Sequence, residues 1–574
     1  MGRIGRRRSV DGFSGRVSRV RRLMPPYLLA APVALPVLGS LIAVVYERLR
    51  WPSPRLPVAA CMWAATAALL ALWIPIRSSQ VAAVASLGFA NFHLRLDAVG
   101  LAFALIVLVP AALLLSLQRR TCDELAIASL AVAAALLGIE SRGVVLTALA
   151  GSMAGTFVVI GLGMEDAAAP RPSWAILLAA WLGVAWAGVI LQVQGGTAEY
   201  DALPVAALTI PVVVLLGASA VLASGLYPWR GWATGIWMRP TLRGAGIAAL
   251  TLQPLGLYVL VRAYEMGDGR YPQSLVNLAL MAWGLVVALG AALRAQAAET
   301  RRDYLAEILP GMAGFTLMSL AVGSTLGVVA AFVLLAATAT VAACLPLLPG
   351  RRTVAPMLLI ASAAGVPPSL AFGGRLLGLD AAFEAGGATG LAGVAGVATW
   401  LLSVAGAARS VGLPIGDAHS RQEASPRVAV ALSAAALAAG PALGVIALLA
   451  GFAAADVMSP PAVTGAGGGL SVATVSTVLA AVALLGPLLV LGLVAVAVSR
   501  PARPAALREK SRSPMFEIPG QKWLAPAWAQ LRAATIPEQY RSMFNPRALE
   551  TVVAGGSSLL WLASLVALAF AVTR

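Results

Sequence analysis

Glu307 and Arg375 are charged residues that lie inside long apolar stretches of the chain. Glu307 stands one turn into the apolar run from residue 304 to 322, and Arg375 lies near the end of a later run. An ionisable side chain within a membrane-spanning segment is a candidate for an ion path. Because a guanidinium is always protonated, Arg375 can hold a fixed charge or bind an anion but is a poor proton carrier. For Glu307 the alternative is pairing with Arg301 or Arg302 at the membrane edge.

The cysteines and histidines do not have the spacing of a metal site. Cys61, Cys122 and Cys344 are isolated within or beside apolar runs and form no C-x-x-C pair. His93 and His419 are the only histidines and are far apart in the sequence. We therefore expect no disulfide, no zinc or iron–sulfur centre, no cofactor and no catalytic site of the chain's own.

The composition is that of an integral membrane protein. Of the 574 residues, 60% are hydrophobic and 11% are charged, which is too little polar surface to cover a soluble globule of this size. The net charge of +17 could indicate nucleic-acid binding, but the arginines are spread over short gaps between apolar runs. Such gaps orient helices in a membrane, and we expect no nucleic-acid partner.

The apolar runs that would position these residues fill nearly the whole chain. A spanning helix needs about 20 mostly apolar residues, and we find about sixteen such runs. They lie at 27–46, 57–76, 98–117, 125–140, 143–163, 174–194, from 204 onward, 244–263, 273–293, 304–322, 325–348, 355–377, 389–408, 427–452, 471–498 and 552–572. The basic segment at 499–549 before the last run carries Trp523, Trp528 and Leu531 at helix-like offsets, which predicts an amphipathic element along the membrane surface.

The hydrophobic stretch from 217 to 262 is broken in its middle. Pro228 cannot donate a backbone hydrogen bond, so the helix should stop or bend there. Pro367 and Pro368 interrupt a second apolar run in the same way. Broken helices within a bilayer indicate a transport path, and two of them in corresponding places are typical of an inverted-repeat transporter. For the first stretch, a short cytoplasmic loop between two ordinary helices is the alternative.

Lysine and arginine are concentrated in alternate gaps between the runs. With the N-terminus outside, the basic gaps, for example those with Arg119–Arg120, Arg301–Arg302 and Arg351–Arg352, all face the cytoplasm. The arginine-rich tail at 1–23 contradicts this orientation. Either the tail is present and lies outside without changing the orientation, or it is not native and the chain starts at Met24, which is the hypothesis that we favour.

Four motifs resemble those of the antiporter-like membrane subunits of respiratory complex I (NADH:quinone oxidoreductase), membrane-bound hydrogenases and Mrp cation antiporters. The first break resembles F-P-F-x-x-W-L-P-D-A-x-x-A-P-T-P-V-S-A and the preceding K-S-A; the matching residues are Ser224, Tyr227, Pro228, Trp232, Pro240, Thr241 and Ala245. The second break resembles L-A-G-L-P-P-x-x-G-F-x-x-K, with matches at Gly365, Pro367, Pro368 and Phe372. Gly256, Tyr258 and Arg262 match G-x-Y-L-L-L-R, and Asp97 matches F-R-L-D-G-L-S, although helix capping explains Asp97 equally well.

The resemblance implies an all-α polytopic membrane protein with about sixteen transmembrane helices. It would contain inverted five-helix repeats with two broken helices, and an amphipathic lateral segment before the last helix. The implied organisation is a basic tail at 1–23, three helices and an external hairpin region at 24–124, repeats at 125–264 and 273–412, additional helices at 427–498, the amphipathic segment at 499–549 and a final helix at 550–574.

The resemblance also implies a proton path of buried lysines and a glutamate, most of which this sequence lacks. The expected positions hold Ala223, Ala150 or Gly151, Pro254, Arg302, Thr338, Ala342 and Arg375. Ser224, Glu307 and Arg375 remain as ion-path candidates.

Three functions are compatible with these residues. The first is a membrane subunit of a complex-I-like or hydrogenase-like, redox-driven ion-translocating complex in the cell inner (plasma) membrane, with an altered or lost proton path. Its partners would be other membrane and peripheral subunits of a respiratory or hydrogenase complex. The second is a purely structural subunit that links a redox module to pumping subunits. The third is a polytopic lipid-linked glycosyltransferase with Asp97 as its external acidic residue.

Overall fold

Most of the predicted membrane bundle lies in the part of the chain that the structure describes. The structure is a computed structural model. It describes residues 26–79, 83–86, 93–118, 120–165, 174–201, 203–226, 231–237, 239, 242–267, 274–348, 354–414 and 426–458. The tail at 1–23, the runs at 471–498 and 552–572, and the segment at 499–549 lie outside the described residues.

The described part consists of helices and one short β-hairpin. The helices are α1 (Ala31–Arg48), α2 (Arg55–Ser79), α3 (Ala98–Leu117), α4 (Cys122–Ile139), α5 (Val144–Glu165), α6 (Trp174–Gly195), α7 (Ile210–Ala223), α8 (Gly231–Trp237), α9 (Arg243–Met266), α10 (Ser274–Gln296), α11 (Arg301–Ala321), α12 (Thr325–Cys344), α13 (Ala355–Ala364), α14 (Leu370–Ala385), α15 (Gly387–Ser410), α16 (Pro426–Leu437) and α17 (Leu443–Met458). The strands β1 (Ala83–Ser86) and β2 (His93–Leu96) pair antiparallel between α2 and α3.

Polar residues at the helix starts explain where several of these helices begin. Thr121 and Thr300 each form a reciprocal capping box, with Glu124 and Asp303 respectively. The carboxylate of Asp97 accepts from the N–H of Gly100 at 2.7 Å at the start of α3. These caps satisfy N–H groups that have no partner within the helix.

The helices form a membrane bundle with a closely packed, buried centre. Eleven helices in the described part are long and apolar enough to cross a membrane. Nearly all of α9, α11 and α12 is buried, whereas α1, α10 and α15 present large apolar side chains outward. The prediction of an all-α polytopic membrane protein is confirmed, with the hairpin as a small β addition. The count of about sixteen spans stays a prediction.

Two sets of five helical units follow one another along the chain. The first set is α4, α5, α6, α7 with α8, and α9; the second is α10, α11, α12, α13 with α14, and α15. In both sets the fourth unit is divided into two helices. The inverted relation between the two repeats stays a prediction.

Two predicted helices differ from the observed ones. The seventh run was expected to begin near Pro204 and to break at Pro228, but α7 begins at Ile210 and ends at Ala223. The reason is a left-handed Gly225, which ends the helix before the proline. The run at 427–452 forms two helices, α16 and α17, because a turn at Gly440–Ala442 contains a proline.

Candidate functional site

The first break follows the last turn of α7. Gly225 takes a left-handed conformation with φ +68°, which glycine adopts readily. The N–H of Leu226 then donates to the carbonyl of Val221 at 3.0 Å, as in a Schellman ending. The indole Nε1 of Trp232, on α8, donates to the carbonyl of Leu222 at 3.1 Å. The predicted broken-helix residue Trp232 therefore binds the end of the broken helix.

Ser224, an ion-path candidate, is fully buried at this break. Its hydroxyl donates to the carbonyl of Gln253, on α9, at 3.4 Å. A small cavity adjoins Ser224, and among the described residues that line it the polar groups are Ser224, Gln253 and the indoles of Trp232 and Trp237. None of these described lining residues is ionisable. The other predicted positions at this break, Pro228 and Pro240, lie outside the described residues.

The second break repeats the backbone geometry of the first. Gly365 has φ +73°, and the N–H of Val366 donates to the carbonyl of Ala361 at 2.9 Å. The predicted Pro367 and Pro368 follow directly and are joined by a cis peptide bond. An indole again binds the break, since Trp400 Nε1 donates to the carbonyl of Gly365 at 3.2 Å.

The side chain of Arg375, on α14, binds the end of α13 at the second break. Its guanidinium donates to the carbonyl of Ala363 at 3.0 Å and to that of Ala364, two carbonyls at the end of α13. The guanidinium also lies 5.0 Å from the centre of the Phe315 ring, a cation–π contact. Arg375 is 1% exposed, so this ion-path candidate is a buried cation that caps a broken helix.

Glu307 lies toward the opposite end of α11 from the hairpin and is partly exposed. Its carboxylate accepts from Arg294 Nε, on α10, at 2.8 Å. Of the alternative partners, Arg301 donates to the carbonyls of Ser410 and Val411, and Arg302 donates to that of Trp237. The charge of Glu307 is therefore compensated by a neighbouring helix in the same repeat.

Arg302 replaces an expected lysine and binds the broken helix of the other repeat. Its Nε donates to the carbonyl of Trp237 at 2.9 Å, and its Nη2 donates to the carbonyl of Arg239. Hydrogen bonds from Arg302 therefore link the start of α11 to the end of α8. A guanidinium in this position serves as a helix cap.

The other expected proton-path positions are filled by apolar packing or by local hydrogen bonds. Ala223 is fully buried, and the hydroxyl of Thr338 donates to the carbonyl of Leu334 at 2.7 Å. At Gly151 an added Cβ would lie 2.4 Å from the ring of Trp181. The space for a glutamate side chain at that position is therefore occupied by an indole.

A buried ionic group, here named the Asp97 cluster, consists of Arg95, Asp97, Arg262 and Glu265. The Asp97 carboxylate accepts from Arg262 at 2.7 and 2.9 Å and lies 2.8 Å from Arg95. Arg95 also pairs with Glu265 at 2.6 Å, and Arg262 pairs with the same glutamate. Two arginines and two carboxylates thus balance one another while joining β2, the start of α3 and the end of α9.

The electrostatics of the Asp97 cluster favour its charged form. Burial by itself would raise the pKa of the Asp97 carboxyl, but the charges of Arg262 and Arg95 outweigh burial and hold that pKa below its ordinary value. Nearby, Glu140 at the end of α4 has no such compensation. Burial raises the pKa of its carboxyl well above the ordinary value, and its Oε1 lacks a hydrogen-bond partner in the described part of the chain.

Sequence reasoning identified only half of the Asp97 cluster. Asp97 and Arg262 were recognised as motif positions, but Arg95 and Glu265 were not. Their signal is that they lie two and three residues from the motif residues, at the ends of apolar runs. Pairing over 165 residues between Asp97 and Arg262 is visible only in three dimensions.

In the described residues, parts of four basic gaps, at 118–124, 226–243, 294–303 and 408–426, meet at the end of the bundle away from the hairpin, here named the basic end. Arg243, the first residue of α9, pairs with Glu124 of α4 at 3.3 Å. The contacts of Arg301 and Arg302 bring the gap before α11 to the same end. The orientation of this end toward the cytoplasm stays a prediction.

Comparisons of the chain with known proteins give matches in structure but not in sequence. No family model matches the chain. Nothing in the search of curated proteins matches it either.

Solved structures of three kinds of membrane complex contain similar chains. A chain of the Mrp complex from Dietzia sp. DQ12-45-1b matches with a TM-score of 0.64 and 21% identity, over 95% of this chain and 63% of that one. A chain of the membrane-bound sulfane sulfur reductase, an archaeal respiratory membrane complex, matches with a TM-score of 0.62 and 16% identity, over 94% and 99%. A chain of respiratory complex I from Thermus thermophilus with bound NADH matches with a TM-score of 0.59 and 18% identity, over 75% and 100%.

These matches confirm, at the level of the fold, the resemblance to antiporter-like subunits that the motifs predicted. The chain spans less than two thirds of the Mrp chain's length and nearly the full length of the reductase and complex I chains. The protein therefore has the fold of the multi-pass membrane subunits of these complexes.

Proposed function

We propose that the chain is an antiporter-like membrane subunit of a redox-driven, ion-translocating complex of the complex I or hydrogenase type, with its own proton path altered or lost. The fold supports the first part, because the similar chains belong to an Mrp complex, a respiratory reductase complex and complex I. The partners would be other membrane and peripheral subunits of that complex, and the location would be the cell inner (plasma) membrane.

The distribution of lysine carries the second part. The chain contains two lysines, Lys510 and Lys522, and both lie in the predicted amphipathic segment at 499–549. Residues 1–498 thus offer no lysine whose pKa burial could bring close to neutral, which is the property that suits lysine to proton relay. Arginine, which supplies nearly all the remaining basic residues, does not release its proton in a protein.

A purely structural subunit, linking a redox module to pumping subunits without moving an ion, is the second candidate. The roles of Arg302 and Arg375 favour it, because both side chains bind carbonyls at the ends of broken helices. A transport current through the purified chain in vesicles would contradict this candidate. The absence of a current would leave the structural role as the better description.

The glycosyltransferase hypothesis is not supported by the geometry of Asp97. Such an enzyme needs an external acidic residue that is open to a metal or to an acceptor. Both carboxylate oxygens of Asp97 accept from Arg262, and the side chain is 4% exposed. Asp97 is therefore engaged in an ion pair that joins two helices.

Purification from native membranes tests the proposed function. The tagged chain is extracted in mild detergent, and the associated proteins are identified by mass spectrometry. We expect quinone-reductase-like or hydrogenase-like subunits in constant ratio to the chain. A second multi-pass protein with the same tag, expressed at the same level, controls for non-specific association. Isolation of the chain as a solitary monomer would contradict the proposal.

A further inference from the structure

Arg375 and Arg262 are both fully buried arginines, but they are compensated in different ways. Arg262 lies against two carboxylates, those of Asp97 and Glu265. Arg375 has no carboxylate within the 4.0 Å of a salt bridge among the residues that the structure describes. Its Nε also lacks a hydrogen-bond partner there. Among the described residues, the positive charge of Arg375 is therefore stabilised by neutral groups.

Neutral groups of this kind bind a free cation in other membrane proteins. Unwound backbone carbonyls at a broken transmembrane helix coordinate Na⁺ or stabilise a proton in transporters that use such helices. The carbonyls of Ala363 and Ala364 at the second break are of this kind, and the face of Phe315 adds the negative side of an aromatic ring. The guanidinium of Arg375 occupies this place.

The lack of a side chain at Gly365 lets the guanidinium of Arg375 approach the backbone closely. A Cβ added at Gly365 would lie 2.5 Å from Nη1 of Arg375, so the guanidinium contacts the backbone directly. Trp400 covers the neighbouring carbonyl of Gly365 from α15. The guanidinium thus contacts two carbonyls, the ring of Phe315 and the backbone at Gly365.

We propose that Arg375 is a tethered cation that fills a monovalent-cation site at the second break and thereby excludes Na⁺ and hydronium from it. Two positive unit charges about 4 Å apart repel each other strongly even at an effective dielectric constant of about 20. This repulsion would weaken the binding of a second cation on the order of 1,000-fold. This inference rests on the proposed loss of ion transport and names the residue that prevents it in the second repeat.

Equilibrium binding of ²²Na⁺ to the purified full-length chain tests the proposal. We expect no saturable binding by the wild-type protein and about one Na⁺ per molecule for Arg375→Met, which removes the charge and leaves the carbonyls free. Arg142→Met is the matched control, because Arg142 lies on the hairpin side in a partly exposed pair with Glu199 and Asp201. Saturable Na⁺ binding by the wild-type chain, or none by folded Arg375→Met, would overturn the proposal.

A second variant and a second measurement allow for poor folding of Arg375→Met. Arg375→Gln keeps a donor for one carbonyl while removing the charge. For both variants Na⁺, but not choline at the same ionic strength, should raise the melting temperature, because the ion replaces the lost charge. Failure of both variants to fold even in about 1 M NaCl would also count against the proposal.

The outcome is separable from that of the proposed function. Isolation of the chain without partner subunits would contradict the subunit role but would not change the ²²Na⁺ result. Conversely, a folded Arg375→Met that binds no Na⁺ would overturn the proposal that Arg375 excludes a cation. That result would not bear on the association with partner subunits.

Discussion

At the scale of single residues, specific partners compensate the charge of the buried and half-buried ionisable side chains in this bundle. Removing a charge from water is costly unless it is paired or hydrogen-bonded. Arg262 meets this condition with carboxylates, Arg302 and Arg375 meet it with backbone carbonyls, and Glu307 meets it with Arg294. The charged side chains that sequence reasoning selected as ion-path candidates thus have structural partners.

Arg262→Gln should destabilise the protein strongly. The substitution leaves the carboxylates of Asp97 and Glu265 buried with only Arg95 to compensate them, and breaking a buried ion pair in this way costs about 3–5 kcal/mol. We expect a large fall in the melting temperature of the detergent-purified chain, followed by circular dichroism. Arg142→Gln, which breaks a partly exposed pair, should cost about 1 kcal/mol or less. Equal losses for the two variants would show that the Asp97 cluster does not stabilise the fold.

At the scale of elements, the two broken helices end in the same way. Each has a left-handed glycine after its last turn and a hydrogen bond between residues five positions apart. In each, an indole from a following helix donates to a carbonyl at or next to the helix end. The two breaks differ in their other neighbours. The side chain of Arg375 binds the second break, whereas the first break adjoins a cavity whose described lining is uncharged.

Gly365→Ala should be more damaging than Gly387→Ala. Both glycines have positive φ, at +73° and +54°, so an alanine at either position carries a backbone cost of about 1–2 kcal/mol. At Gly387 an added Cβ meets nothing within 4 Å, whereas at Gly365 it would displace Arg375. Loss of the hydrogen bonds from Arg375 to the carbonyls of Ala363 and Ala364 should add about 1–3 kcal/mol to the destabilisation. Thermal unfolding of both variants in detergent measures the difference, and similar melting temperatures would contradict a close contact at the break.

At the scale of the whole molecule, charge separates the two ends of the bundle. The basic end holds Arg243, Arg301 and Arg302, and the hairpin end holds the Asp97 cluster and Arg142 with its two carboxylates. Basic residues are retained on the cytoplasmic side during membrane insertion. The basic end is therefore expected to face the cytoplasm.

A pair of introduced cysteines tests this orientation. In a variant whose three natural cysteines are replaced by alanine, Glu299→Cys marks the basic end and Gln194→Cys marks the hairpin end; both positions are exposed. A membrane-impermeant maleimide should label Gln194→Cys in right-side-out vesicles and Glu299→Cys in inverted ones. The reverse labelling pattern would show that the bundle is inserted the other way.

The sequence by itself determined the class of protein, most of its helices and the existence of both breaks. Apolar runs of about 20 residues are sufficient to indicate membrane spans, and the motifs around Pro228 and Pro367 predicted interrupted helices in corresponding places. The site at which α7 ends was not predicted, because a glycine in the left-handed conformation is indistinguishable in sequence from any other glycine. The turn that divides α16 from α17 was missed although Pro441 signals it.

Only the tertiary structure decided what the charged residues bind. Arg262 and Asp97 are 165 residues apart, and Arg302 reaches a helix of the other repeat. Sequence patterns report neighbours along one helix, whereas these bonds depend on which helix ends lie together after packing. The same limit applies to Arg375: its residue type fixes its charge, but the fold alone places that charge on the carbonyls of a broken helix.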